Sequence, residues 1–167
     1  MRTIVYILVL GVLILVQTAL SNFIGIFGVK PDLPLVFALC MAMVKNEKAG
    51  ALMGLMNGFL EDILFGRFIG LNTIAKSIAG YVVGLGSQNL YKGRVIITMA
   101  LVFTGSVIFN FLFMTIAFFT GELIHPWRYL LSITVASSLI NMFVSPLIYI
   151  GAYRIERFFD YYFDIKY

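Results

Sequence analysis

Hydrophobic residues in this chain gather into six runs, at about 3–20, 33–45, 49–68, 71–86, 95–119 and 129–153. Short clusters of charge, proline and glycine separate them. Several runs approach the roughly 20 apolar residues that carry a helix across a bilayer about 30 Å thick. The pattern predicts an all-α membrane protein of six transmembrane helices in a single domain, 1–167. The first run follows Arg2 and could imitate a signal peptide, but five further runs make an uncleaved first span the better reading. Residues 22–29 (NFIGIFGV) are too short to span and are expected at the interface. Pro31 and Asp32 precede the second run, where a proline suits a first helical turn and an Asp suits the N-cap. That run is short, and Lys45 at its end is expected to snorkel.

The fifth run is the longest and cleanest. The sixth contains Pro146, expected to kink it, and a polar stripe of Thr134, Ser138, Asn141 and Ser145 that can hydrogen-bond to neighbouring helices. Beyond it, 154–167 mixes Arg154, Arg157 and Lys166 with Glu156, Asp160, Asp164 and six aromatic residues, as an amphipathic segment at the inner surface would. Six spans place Arg2, Lys45, Lys48, Lys92, Arg94, Arg154, Arg157 and Lys166 on one side, against Lys30, Arg67 and Arg128 on the other. The positive-inside bias then makes both termini cytoplasmic.

Composition agrees with a membrane protein. The 167 residues are 61% hydrophobic and only 12% charged, half the charge of an ordinary soluble domain, with a mean hydropathy of +0.99. The net charge of +4 comes from basic residues at the ends of apolar runs, which speaks for a lipid bilayer and against nucleic acid. Cys40 lies alone within a run, so no intrachain disulfide forms and a buried, inert thiol is expected. One histidine, His125, sits in a turn beside Pro126 and Trp127 and reads as an interfacial ring. The chain offers no His/Cys metal set and no phosphate-cradling loop; catalytic, metal and cofactor sites are all expected to be absent.

The third and fourth runs carry the chain's most unusual pattern. Glycine recurs every fourth residue at Gly50, Gly54 and Gly58, again at Gly66 and Gly70, and again at Gly80 and Gly84, with Asp62 occupying one rung. Residues four apart share a helix face, and small faces let membrane helices approach closely. The ladder serves either packing within the chain or a partner. Glu61, Asp62 and Lys76 fall inside these apolar runs, where ionisable groups need partners. Three readings are open for the acid pair: Asp62 pairs with Arg67 or Lys76 and fixes how the third and fourth spans meet; the pair faces a partner protein; or it lines a cavity for a polar solute. Adjacent residues point about 100° apart, so Glu61, on a face with Asn57, and Asp62, on a face with Gly54 and Gly58, cannot serve one narrow site.

The Pro31-Asp32-Leu33 turn, followed by Gly50-Ala51-Leu52-Met53-Gly54, by residues 58–66 (GFLEDILFG) and by Ile69-Gly70-Leu71, resembles the MreD family of rod-shape-determining membrane proteins. Length and span count are similar as well. Pro31, Asp32, Gly54, Gly58, Asp62, Gly66 and Gly70 match the family pattern; Arg67, where members often carry a small polar residue, departs from it. The resemblance implies a non-enzymatic scaffold of the bacterial cell-wall elongation complex in the cytoplasmic membrane. It implies association with MreC, and through it with MreB, RodA and a class B penicillin-binding protein. On this reading the glycine faces of the third and fourth spans, pinned by Asp62, meet the single span of MreC. The fold also looks similar to the substrate-binding subunit of energy-coupling-factor vitamin transporters. Such subunits dock through small residues in the first span, and the bulky residues around Gly11 speak against that.

Overall fold

The computed structural model describes residues 2–20, 30–66, 69–88, 95–121 and 133–163. Among these there are six α-helices: α1 (Arg2–Leu20), α2 (Leu33–Val44), α3 (Glu47–Phe65), α4 (Leu71–Ser87), α5 (Val95–Phe119) and α6 (Val135–Phe163). Two of them, over Val95–Phe119 and Val135–Tyr161, are long and apolar enough to cross a membrane by themselves; Ile4–Ala19 and Leu33–Val44 are shorter apolar helices.

The centre of the molecule is its shortest helix. α2 is apolar on every side, and every residue from Leu33 to Met43 is buried. A helix without a polar face belongs inside, and at 12 residues, about 18 Å, it is too short to cross a bilayer unaided. It touches each of the other five helices, and Leu10 of α1, Met53 of α3, Ala79 of α4 and Val102 of α5 join its side chains in one core.

Capping sets the ends of α2 and α3 as their sequences suggest. Asp32 Oδ1 accepts from Leu35 N at 2.9 Å, with Pro34 in the first turn. Asn46 Oδ1 accepts from Ala49 N at 2.8 Å, which starts α3 at Glu47, two residues earlier than the hydrophobic run alone implies. The run also overshoots at its far end: α3 stops at Phe65, because Gly66 is extended (φ −79°, ψ 141°).

The sixth helix differs most from expectation. The start of its run lies outside the described residues, and so do 22–29, Arg67, Lys92, Arg94 and 122–132. At its other end α6 continues without a break to Phe163. The described part of the expected amphipathic tail, 154–163, is thus the last turns of α6, with Ala152, Glu156 and Phe159 buried and Arg154, Arg157 and Asp160 exposed. Residues 164–167, with Asp164 and Lys166, lie outside the described residues. Pro146 is accommodated inside the helix. Its ring nitrogen has no proton to give the carbonyl of Met142; the Ser145 hydroxyl donates to that oxygen instead, at 2.7 Å. In an apolar medium such side-chain substitution is how a helical proline becomes tolerable.

The two ends of the bundle gather different chemistry. At one end Glu156 of α6 is buried and bonded to the Tyr6 hydroxyl of α1. Lys45 Nζ lies 3.5 Å from Glu156 Oε2 and 5.9 Å from the centroid of the Tyr6 ring. Lys45 therefore does reach the rim, but with a carboxylate to meet it there. The other end holds the ionic centre described next.

Candidate functional site

The glycine ladder brings the site together. α3 and α4 run antiparallel in the most extensive contact between any two helices, with their glycine faces against each other. A Cβ added to Gly54 would lie 2.3 Å from the Lys76 carbonyl oxygen, and one on Gly58 2.5 Å from the Asn72 carbonyl carbon. From the other side, a Cβ on Gly80 would meet Gly50 O at 2.4 Å and one on Gly84 would meet Glu47 Cα at 2.3 Å. No side chain fits between these backbones, and glycine is required on both helices. The expectation that these faces are offered to a partner's helix is corrected accordingly: each is covered by the other.

That close approach drops Lys76 into a fully buried position. Its Nζ lies 2.6 Å from Glu61 Oε2 and 2.7 Å from Asp32 Oδ2. Turned so that its oxygen faces the ammonium, the Asn57 amide accepts from Lys76 Nζ at 3.3 Å and from Leu35 N at 3.2 Å. The Phe109 ring of α5 covers the ammonium, 5.3 Å from its centroid, in cation–π range. One lysine thus ties α2, α3, α4 and α5. Isolated charges in a low-dielectric interior are very costly, and a pair survives when its remaining hydrogen bonds are satisfied. Here they are. Asp32 also caps the positive end of α2, and its backbone N–H donates to Asn141 Oδ1 at 2.8 Å. The Asn141 amide in turn donates to Ser106 Oγ at 3.1 Å, so of the polar stripe Asn141 joins the centre. Ser145 bonds within its own helix, and the buried Thr134 and Ser138 hydroxyls have no hydrogen-bond partner among the described residues.

Asp62 takes a different partner. Its carboxylate sits at the N-terminus of α4, where it accepts from Gly70 N at 2.8 Å, Asn72 N at 3.1 Å and Thr73 N at 3.0 Å. It also accepts from Asn72 Nδ2 at 3.0 Å and Thr73 Oγ1 at 2.6 Å. α4 begins at a left-handed Gly70 (φ 118°) and has no capping side chain of its own; Asp62 of the preceding helix supplies the cap. The negative charge meets backbone N–H groups and the positive end of the macrodipole. Asp62 thus ties α3 to the start of α4 through hydrogen bonds, where a pairing with Arg67 or Lys76 is the expectation from the sequence. The acid on Lys76 is Glu61, and Arg67 lies outside the described residues. Asn72 and Thr73 escaped the sequence reading, although Asn and Thr immediately after Gly70-Leu71 are the donors that a helix start would present to an acid.

Replacing Asp62 by Asn removes the charge and turns an amide nitrogen toward donors. The expected cost is about 1–3 kcal/mol, read as a lower thermal unfolding midpoint of the protein in detergent. An unchanged midpoint would show that α4 does not depend on this cap.

Beside Asp32 lies a cavity of ≈ 320 Å³ between α1, α2, α4, α5 and α6, with Gln17, Asn72, Asn110, Ser137 and Asn141 on its walls. Asn110 Nδ2 donates to Ser137 Oγ at 3.1 Å, and Gln17 Oε1 accepts from Leu33 N at 3.0 Å. These polar groups chiefly hold helices to one another. Cys40 is buried, with its sulfur 3.9 Å from Ser145 O. Among the described residues no set of three or more His, Cys, Asp or Glu side chains is arranged to hold a metal ion.

Exposed apolar side chains, a buried lysine matched by two carboxylates, and helices joined through glycine describe an all-helical bundle in which two helices are long and apolar enough to cross a membrane. The family model described as rod shape-determining protein MreD matches residues 1–153. The chain belongs to the MreD family. No curated protein and no solved structure matches it.

Proposed function

We propose that this chain is a non-enzymatic scaffold of the bacterial cell-wall elongation complex. It supports rod shape and lateral peptidoglycan synthesis through association with an MreC-type protein. All six helices are embedded in the cytoplasmic membrane, with both termini on the cytoplasmic side. The observation that carries this reading is membership of a rod-shape-determining family, joined to a centre in which Asp32 and Glu61 answer Lys76 and the start of α4 answers Asp62. A centre so closed favours a rigid body over a reaction site. The topology is supported by the meeting of Tyr6, Lys45 and Glu156 at one end and of Gln17, Asp32 and Asn72 around one cavity at the other. With the glycine faces covered, the partner's single span meets an outward apolar face.

Expression in a rod-shaped bacterium depleted of its own family member tests the proposal. Restored rods, and co-purification of the MreC-type protein with the tagged chain, are the expected results. Round cells without co-purification, together with tight binding of a vitamin by the purified protein, would favour the transporter-subunit reading instead.

A further inference from the structure

The end of the bundle away from Lys76 carries a second cavity, of ≈ 330 Å³, where α1 faces α3 and the α2–α3 turn. Its walls include Tyr6, Lys45, Lys48, Leu52, Met53 and Met56. Lys48, Leu52 and Met56 follow each other at four-residue steps on α3, so they form one column along the helix. The column begins at an exposed cation, passes Leu52 at 52% exposure and ends at a half-buried methionine. Lys45 flanks its charged end. Glu156 lies 3.5 Å from Lys45 Nζ and offsets part of that charge. Glu47 reaches the opposite way, to Gln88 just past the end of α4 at 2.7 Å, and Lys48 stands exposed on the rim of the groove.

A cationic rim above an apolar, methionine-lined column between two helices is complementary to one kind of molecule. We propose that this groove holds an anionic membrane phospholipid, with its phosphate between Lys45 and Lys48 and an acyl chain along Leu52, Met53 and Met56. Basic groups at a membrane surface select anionic headgroups, and methionine side chains adapt to a flexible chain. The proposal rests on membrane insertion but is independent of any protein partner.

The test is native mass spectrometry of the full chain, delipidated in detergent and titrated with phosphatidylglycerol, with phosphatidylcholine of the same acyl chains, or with glycerol phosphate. Phosphatidylglycerol is expected to survive collisional activation that strips phosphatidylcholine. Lys48→Gln should lower its retention about fivefold, the factor for one lysine at an anionic surface, while Lys48→Arg retains it. Leu52→Trp, which fills the column and leaves both lysines, should lower retention too, with circular dichroism confirming an unchanged fold. Equal retention of the two lipids, or phosphatidylglycerol binding undiminished by Lys48→Gln and Leu52→Trp, overturns the proposal. Displacement of the lipid by glycerol phosphate alone would mark a free-phosphate site and overturn it as well.

Discussion

Lys76→Met is expected to cost about 3–5 kcal/mol, the usual penalty for stranding the partners of a buried ion pair. Methionine nearly fills the space, so the loss is electrostatic: Glu61 Oε2 and Asp32 Oδ2, now 2.6 and 2.7 Å from the ammonium, would face each other across an apolar gap. Set against a typical stability of about 5–15 kcal/mol, that removes a large share of it. Denaturant titration of the purified protein, followed by circular dichroism, measures the loss. Adding Glu61→Gln and Asp32→Asn to Lys76→Met removes the stranded charges and should return about half of what was lost, since uncharged polar or apolar replacements of buried ion sets are often tolerated. A triple variant as damaged as the single one would mean that the ammonium acts through shape.

Gly54→Leu and Gly58→Leu are expected to destabilise by a different route. At both positions the nearest atoms to a new Cβ are backbone atoms of α4, at 2.3 and 2.5 Å. A backbone cannot rotate aside as a side chain can. α3 and α4 must separate, and separation draws Glu61 from Lys76 and Asp62 from the start of α4. The cost should reach or exceed the roughly 1–3 kcal/mol of ordinary overpacking. Gly11→Leu and Gly151→Leu are the controls: a Cβ at either position meets nothing within 4 Å, so both should stay within about 0.5 kcal/mol of the parent. Equal loss at all four positions would point to helix propensity or expression rather than to the α3–α4 contact.

Much of this arrangement is legible along the chain. Apolar runs located all six helices, because an apolar helix needs no tertiary partner to be recognised. Asp32 as a cap of α2 followed from its place before Leu33-Pro34, and the divergence of Glu61 from Asp62 followed from helical geometry alone. Pairing was less legible. Several bases could answer the acids, and sequence spacing does not say which of two adjacent carboxylates the α3–α4 crossing turns toward Lys76. The glycine ladder was ambiguous for a related reason. A smooth helix face fits a partner's helix as well as a neighbour's, and only the reciprocal fit of Gly50 with Gly80 shows that each is closed by the other. The amphipathic pattern of the tail does not reveal that Glu156 is buried. Its burial depends on Tyr6 and Lys45, which lie far away in sequence and meet it only in the folded bundle.

The central claim is that matched charges between neighbouring helices hold the core together, and a double-mutant cycle on Lys76→Met and Glu61→Gln tests it most directly. Unfolding free energies of the parent, the two single variants and the double variant give the coupling between the two side chains. For groups 2.6 Å apart the account predicts a coupling of about 1–3 kcal/mol, with the double variant more stable than Lys76→Met alone. Losses that simply add, leaving the double variant less stable than either single one, would contradict it.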